Sequence, residues 1–325
     1  MKVELINPLP NTLAHYEAEI VSTLRLAGHD VSISSLSVGI EVGAASVLSK
    51  VRIAISTLVR ALRYRSTADR VLVLWPVFGF WDGLVFRNTV AERSTSVIMH
   101  DPIPLRPTYG YSGLAKVCAR WACRLGVSAE WIVHGQSGAT ALRQEGIHVS
   151  HVLPHPILSS PSDSIGRRSA GLVTVLGQFK ISRDLEMLAR LGSHYAGQFD
   201  FHILGRGWPP VAGWRSTDRF ISEAEFDQAT RESSVVVIPY SNFFQSGVAV
   251  RCLEVLTPVL GPDHEFLRQL FGHDYIGLIS SGTEPYLELK ALTHLSKDEL
   301  NTLRQRYVEN VRDAWCAAWE LDHTP

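Results

Sequence analysis

Residues 172–191 read LVTVLGQFKISRDLEMLARL. The first five, Leu172 to Leu176, are Val- and Leu-rich without polar alternation, which predicts a strand buried on both faces, as in parallel sheets. Gly177 stops the run, Gln178 to Asp184 make a polar turn, and Leu185, Leu188 and Leu191 then recur at helical spacing. Strand, glycine turn and helix form the repeating unit of a doubly wound α/β sheet, whose ligands gather at the carboxyl ends of the strands. A glycine at such a turn lets backbone approach a ligand closely. Lys180 and Arg183, beside a helix N-terminus, suit a diphosphate. Cations in loops are equally at home in water, so this turn by itself decides the fold and not the ligand.

The same unit recurs in both directions. Downstream, Phe201–Leu204 runs into Gly205-Arg206-Gly207, a second glycine turn at the same sheet end. Val235–Ile238 leads to Pro239-Tyr240 and then to Gln245-Ser246-Gly247, which open a helix carrying Glu254. Small residues at a helix start make another anion cradle. Glu254, about two turns on, could accept both hydroxyls of a ribose, although a lone helical Glu more often faces solvent. Thr257 to Gly261 end that helix and start a further strand, and Tyr275–Ile279 is another. Upstream, Val3–Ile6, Val31–Leu36, Val71–Leu74, Val97–Met99 and Trp131–Val133 read as buried strands. The first is followed by a helix that ends at Ala27 and closes on Gly28.

Between the two series lies the polar stretch Ser159 to Ser169, the best linker in the chain. The expected domains are therefore 1–160 and 161–325. A long helix from about Lys297 to Trp319 closes the sequence. Length agrees, since 325 residues correspond to two domains at roughly 150 each.

Composition narrows the function. Thirty-one basic and 32 acidic side chains leave a formal net charge of −1, which argues against a general polyanion binder and so against a nucleic-acid partner. The 46% apolar content excludes disorder. Cys118, Cys123, Cys252 and Cys316 are too few and scattered for a disulfide scaffold, and none forms a CxxC pair for zinc. Glu4, Pro8 and Pro10 interrupt any secretory core at the N-terminus, and the apolar run Val71 to Trp81 is too short to span a bilayer. A cytoplasmic protein is expected.

Three anion-friendly turns on successive strands, followed by a ribose-type acid, resemble the C-terminal domain of the GT-B glycosyltransferases, in particular the family 4-like enzymes. That family has a strand, a G-x-x-x-x-x-K/R turn, an L-G-x-G turn, a loop into a helix bearing a ribose-binding Glu, and a G-x-P-V turn. The matching positions are Gly177 with Arg183 and the nearby Lys180, then Gly205, Arg206 and Gly207, then Gln245, Ser246 and Gly247, and finally Glu254. The resemblance implies an α/β fold of the GT-B type, with two Rossmann-like domains facing a central cleft and a C-terminal helix able to cross back to the N-terminal domain. It implies transfer of a sugar from a UDP- or GDP-sugar to a polysaccharide, lipid-linked or other glycan acceptor, with retention of configuration. The named residues would bind the donor. Three positions depart from the pattern. Ser246 stands where the family has the first Glu of E-x7-E, so the sugar hydroxyls would fall to Gln245, Ser246 or backbone amides. Gln178 replaces the usual Arg, leaving Lys180 and Arg183 to neutralise the diphosphate. Leu256-Thr257-Pro258-Val259 replaces G-x-P-V. No D-x-D sequence follows any strand, so cations and helix N-termini rather than a metal are expected at the diphosphate, with no cofactor.

In the N-terminal half, His100 and Asp101 directly follow a strand. They either cap its end, with Pro102 and Pro104 shaping the loop, or, as the resemblance implies, lie beside the donor sugar as catalytic residues. His15, at the start of the first helix, is the acceptor-side candidate. His134 and His155 read as structural, and Pro154 and Pro156 prevent His151 and His155 from forming a helical metal pair. A non-catalytic nucleotide-sugar binder or partner subunit is a rival, as is a GT-B-like epimerase or phosphorylase.

Between Val42 and Ala68 lie Lys50, Arg52, Arg60, Arg63 and Arg65, and no acid. Val47, Val51, Ile55, Leu58 and Leu62 share one helical stripe, with Arg52, Arg60 and Arg63 opposite. This is either a buried helix with a basic outer face or a contact with an anionic membrane surface, which would place the protein at the inner face of the membrane.

Overall fold

The computed structural model describes residues 1–35, 47–87, 95–104, 109–159, 168–280 and 285–320. The chain divides into one compact unit of Met1–Ser159 with Val311–Pro325 and a second of Ser160–Asn310.

In the first unit the elements run β1 (Lys2–Asn7), α1 (Ala14–Leu26), β2 (Asp30–Ser35), α2 (Val47–Arg63), β3 (Arg70–Val73), α3 (Asp82–Val85), β4 (Thr95–Ile98), α4 (Gly113–Arg124), β5 (Glu130–Val133), α5 (Gln136–Gln144) and β6 (His151–Val152). All strands pair in parallel in the order β2-β1-β3-β4-β5-β6. β1 sits between β2 and β3, with Leu5 opposite Ile33 on one side and Leu72 on the other. Val3, Leu5 and Ile6 are completely buried, as their unbroken apolar pattern demands. On one face of the sheet Ile6, Val73, Val97 and Val133 pack against small residues of the covering helices, among them Ala61 of α2, Ala115 and Ala119 of α4, and Ala139 of α5.

The second unit follows with β7 (Leu172–Leu176), α6 (Leu185–His194), β8 (Asp200–Leu204), β9 (Arg215–Thr217), α7 (Glu223–Glu232), β10 (Val235–Val237), α8 (Gly247–Glu254), β11 (Val259–Pro262), α9 (Glu265–Phe271), β12 (Leu278–Ile279), α10 (Tyr286–Thr293) and α11 (Lys297–Glu320). Its parallel order is β12-β11-β10-β7-β8-β9. The chain runs from β7 outward through β8 and β9, then returns to the other side of β7 for β10. The strand order therefore reverses between β7 and β10, the place where open α/β sheets bind ligands.

Four sequence expectations are corrected. Trp315 and Trp319 lie in the stretch from Val311 that groups with the first unit, so the second domain does not run to 325. Trp315 donates its indole N–H to the Pro154 carbonyl at 3.1 Å, and Trp319 packs on His29 and under the Arg70 guanidinium. The last strand is shorter than Tyr275–Ile279, because a turn bond from the Leu278 amide to the Tyr275 carbonyl precedes it. β6 and β9 went unread, being edge strands of two and three residues with no apolar run. In α2 the described part of the expected stripe is not turned fully inward: Thr57 and Ala61 are buried, whereas Ile55 is 57% and Leu62 50% exposed and Leu58 is half-buried, the side chains of Val47 and Val51 lying outside the described residues. Most of the linker stretch, 160–167, lies outside the described residues, as do the side chains of Lys50 and Arg52. No helix among the described residues is long and apolar enough to cross a membrane.

Candidate functional site

The loops after β10, β7 and β8 lie side by side because those strands are neighbours. The turns after β7 and β8 are sewn together: the Gly177 amide donates to the Leu204 carbonyl at 2.9 Å and the Phe179 amide to the Arg206 carbonyl at 3.0 Å. Trp208 donates its indole N–H to the Gly177 carbonyl at 2.8 Å. At Gly205, φ is +150° and an added Cβ would stand 2.1 Å from the Gly177 carbonyl oxygen, so only glycine permits this approach. The Gly207 amide donates to Asp218 at 2.6 Å, which uses that carboxylate as a turn lock. The paired turns display Gln178, Lys180 and Arg206 to solvent.

Arg183 occupies the switch point itself. Its guanidinium lies 3.6 Å from the centre of the Tyr240 ring, and its backbone bridges Tyr240. The Asp184 amide donates to the Pro239 carbonyl at 2.8 Å and the Ser241 amide to the Ser182 carbonyl at 2.9 Å, so the loops after β7 and β10 are tied together. One Arg183 N–H donates to the Gln178 carbonyl at 3.3 Å, while Nε is buried without a partner among the described residues. Burial pulls this guanidinium below its ordinary pKa, opposed by Tyr240. A desolvated cation with an unsatisfied donor gains most from an arriving anion. Asp184 does not compete for it, since its carboxylate caps α6 by accepting from the Met187 amide at 2.8 Å.

Ser246 is the N-cap of α8, its hydroxyl accepting from the Ala249 amide at 3.3 Å. Gly247 begins the helix, and a Cβ there would meet nothing within 4 Å, so this end is sterically open. Ser246 thus does local capping work at the position where the family pattern has a carboxylate. Glu254 is at the far end of α8, roughly 10 Å away at 1.5 Å per residue, and only 3% exposed. Its charge supports the equally buried Arg304 of α11, whose guanidinium burial otherwise weakens.

A second constellation forms at the carboxyl edge of the first sheet. His100, His134 and His155 follow β4, β5 and β6 and converge around Tyr16 of α1, with ring centroids 4.7, 5.8 and 5.1 Å from the Tyr16 ring. His100 stacks on Trp75 at 4.6 Å. Hydrogen bonds fix the tautomers, because a carbonyl can only accept. His100 donates from Nε2 to the Leu74 carbonyl at 2.8 Å, and His134 from Nδ1 to the Leu153 carbonyl at 3.1 Å. His134 Nε2 must then accept from the Tyr16 hydroxyl, 2.5 Å away. His155 donates from Nδ1 to the Pro156 carbonyl at 2.8 Å. Burial holds His134 well below the usual histidine range, helped by the neighbouring rings, and pushes His155 down to about 3. Glu19, buried in the same helix, reaches His15 at 3.4 Å and His155 at 3.9 Å. Asp101 is exposed.

No family profile and no curated protein sequence matches the chain. Solved structures do match. Sucrose-phosphate synthase from Thermosynechococcus elongatus aligns over 99% of this chain and 97% of its own with a TM-score of 0.62 at 12% identity. AviGT4, a glycosyltransferase of avilamycin A biosynthesis, aligns over 98% and 97% with a TM-score of 0.60 at 14% identity. HepE from Anabaena, in complex with UDP-glucose, aligns over 97% and 95% with a TM-score of 0.57 at 13% identity. The chain has the GT-B fold.

Within this GT-B fold, Gly177, Lys180, Arg183, Gly205, Arg206, Gln245, Ser246 and Gly247 all fall on the three adjoining loops of the second sheet. Glu254 is set back at the end of α8. In the first unit His15 and His100 belong to the histidine constellation. Sequence reasoning missed Tyr240 as the platform for Arg183, Asp218 as a turn lock, and Tyr16 as the hub of the histidines. It also read His134 and His155 as unrelated to His100. One signal was available: each of these three histidines stands just beyond a strand, so a parallel sheet puts them along one edge.

Proposed function

We propose that this protein is a nucleotide-sugar-dependent glycosyltransferase. The observation that carries the reading is Arg183, half-desolvated and with an unsatisfied Nε, at the switch point between β7 and β10 and beside two cations on the adjoining turns. A diphosphate there meets Arg183, already held on Tyr240, together with the exposed Lys180 and Arg206 and the open N-terminus of α8. Preorganised cations and amides aimed at a leaving diphosphate lower the barrier to its departure, without reorganisation at the moment of reaction. Ser246 and Gln245 serve the sugar hydroxyls, and Glu254 the ribose. The HepE structures hold UDP with glucose, or UDP-glucose, which favours a hexosyl nucleotide as donor.

The first unit takes the acceptor, a glycan or a lipid-linked sugar, at its carboxyl edge, with His15 and Asp101 on the accessible side and His100 held rigidly by Trp75 and Leu74. In this reading no metal is required and the anomeric configuration is retained. Release of UDP or GDP from a panel of nucleotide-sugars, with and without acceptor glycans and with EDTA present, tests the reading. The anomeric proton coupling of the product reports retention or inversion. If no nucleotide-sugar is bound or turned over, the reading fails. Ser246 favours one rival, a non-catalytic nucleotide-sugar binder, and that rival predicts binding with no release under any acceptor.

A further inference from the structure

The helical layer over the first sheet is built inside out. In α4 the residues turned to the core are small, with Ala115, Ala119 and Ala122 buried. The large apolar ones face out. Leu114 and Leu125 are each 67% exposed, Trp121 is 55% and Val117 is 44% exposed. Their spacing of three, four and four residues makes one continuous stripe along the helix and its C-terminal turn. A soluble helix turns such a stripe inward, and singly exposed apolar residues would need no explanation. This is a row of four on one element.

α2 repeats the arrangement. Ile55 and Leu62 point outward with Val59, which is 39% exposed, while Thr57 and Ala61 are buried. Both helices cover the same face of the sheet, since Ala61 and Ala115 join one core cluster, and α3 touches both. The charges alongside are of one sign. Arg60 and Arg63 of α2, Arg65 just beyond it, and Arg124 of α4 accompany the stripes, and neither helix contains an acidic residue; Lys116 and Arg120 of α4 turn away from the stripe, to the carboxylate and the carbonyl of Glu145. The Arg124 guanidinium lies over Trp121, 5.8 Å from the ring centre.

We propose that this face of the first unit docks on an anionic lipid surface, with Leu114, Val117, Trp121 and Leu125 entering the headgroup boundary and the arginines meeting lipid phosphates. Apolar side chains on a helix lying parallel to the membrane, with an indole among them and basic residues at the flanks, have the composition of an interfacial helix. A second copy of the chain is a poorer occupant. An isologous contact would set this cationic face against itself, and like charges across an interface repel. The proposal does not depend on the transferase reading, because vesicle partition needs no donor and donor binding needs no vesicle.

The test is flotation of the full chain with large vesicles of phosphatidylcholine containing 30 mol% phosphatidylglycerol, against phosphatidylcholine alone. Partition is expected to favour the anionic vesicles and to fall in 0.5 M salt. Replacing Arg63 and Arg124 by Gln should lower it about fivefold per arginine, and Leu114→Ser with Trp121→Ser should lower it at least tenfold. UDP binding should be unchanged in every variant. Bromine-labelled phosphatidylcholine in the anionic vesicles should quench tryptophan fluorescence, and the conservative Trp121→Phe should remove most of that quenching while keeping the fold. The proposal is overturned if the chain does not float with anionic vesicles, or if flotation or quenching is indifferent to these substitutions. It is equally overturned if light scattering finds a dimer that Leu114→Ser with Trp121→Ser dissociates.

Discussion

Acid should loosen the first unit before any exposed group explains it, and His155 is the residue to change. Its imidazole is buried, donates to the Pro156 carbonyl and stands near His100 and His15, and burial above all holds its pKa at about 3. In the unfolded chain the ordinary value of about 6.5 returns. A folded pKa below the unfolded one means that the unfolded state binds the proton first. The stability His155 contributes is therefore complete above about pH 6.5 and is lost as pH falls from there toward 3. At pH 5 the difference is about one and a half pH units at 1.36 kcal/mol each, or roughly 2 kcal/mol. For a unit of this size that is about 4–8 °C in the midpoint of thermal unfolding. His134, held low by the same burial, acts in the same direction. Asp82, whose carboxyl burial raises well above its ordinary value, acts oppositely, so the wild-type curve alone does not isolate His155. The comparison that does is His155→Asn, whose amide N–H replaces Nδ1–H toward the Pro156 carbonyl. Thermal unfolding of both proteins from pH 7.5 to 5 should show the variant below wild type at pH 7.5 and the gap closing by about 2 kcal/mol at pH 5. Parallel curves would refute the reasoning, because the buried ring would then not be the group that titrates.

Further outcomes follow from Gly205, Gly177, Glu254 and Ser246 of the second unit. Gly205→Ala forces a Cβ against the Gly177 carbonyl and should cost about 2–5 kcal/mol from overpacking and a left-handed backbone, abolishing nucleotide binding. Gly177→Ala, which meets no atom within 4 Å, should cost only about 1–2 kcal/mol in urea denaturation. Glu254→Ala strips the buried Arg304 of its counter-charge and should cost about 3–5 kcal/mol. Glu254→Gln should also weaken UDP binding, and a ribose role appears as a smaller loss for 2′-deoxy-UDP than for UDP. Ser246→Ala removes the α8 cap and should cost about 1 kcal/mol, and Ser246→Asp should restore it, both read from chemical denaturation.

The fold was legible wherever a strand is buried on both faces and ends in a glycine. β7 was bounded correctly at Leu172 and Leu176 for that reason, and the closing of α1 before Gly28, at φ +80°, is the same kind of signal. β6 and β9 were not, because two- and three-residue edge strands carry no periodicity. The donor loops could be placed from glycines and cations, but the contact between Arg183 and Tyr240 joins residues on loops distant in sequence and only the strand order brings them together. The histidines failed for a related reason. His134 and His155 are satisfied structural groups, as their neighbourhoods suggested, yet their satisfaction is what packs the ring of His100 in place. In α2 the helical wheel found an apolar stripe without saying which way it turns, and the stripe of α4 went unread. The small residues Ala61, Ala115 and Ala119, which fit closely against the sheet, decide that.

The central claim is that the turns after β7, β8 and β10 hold a nucleoside diphosphate around Arg183. Isothermal titration of UDP and GDP into the wild-type chain and Arg183→Ala tests it most directly. A charge-assisted hydrogen bond is worth about 1.5–3 kcal/mol, so the account predicts measurable binding of one of the two by the wild type and a loss of roughly 10- to 100-fold in the variant. Binding that Arg183→Ala leaves unchanged, or no binding of either nucleotide at millimolar concentration, would contradict it.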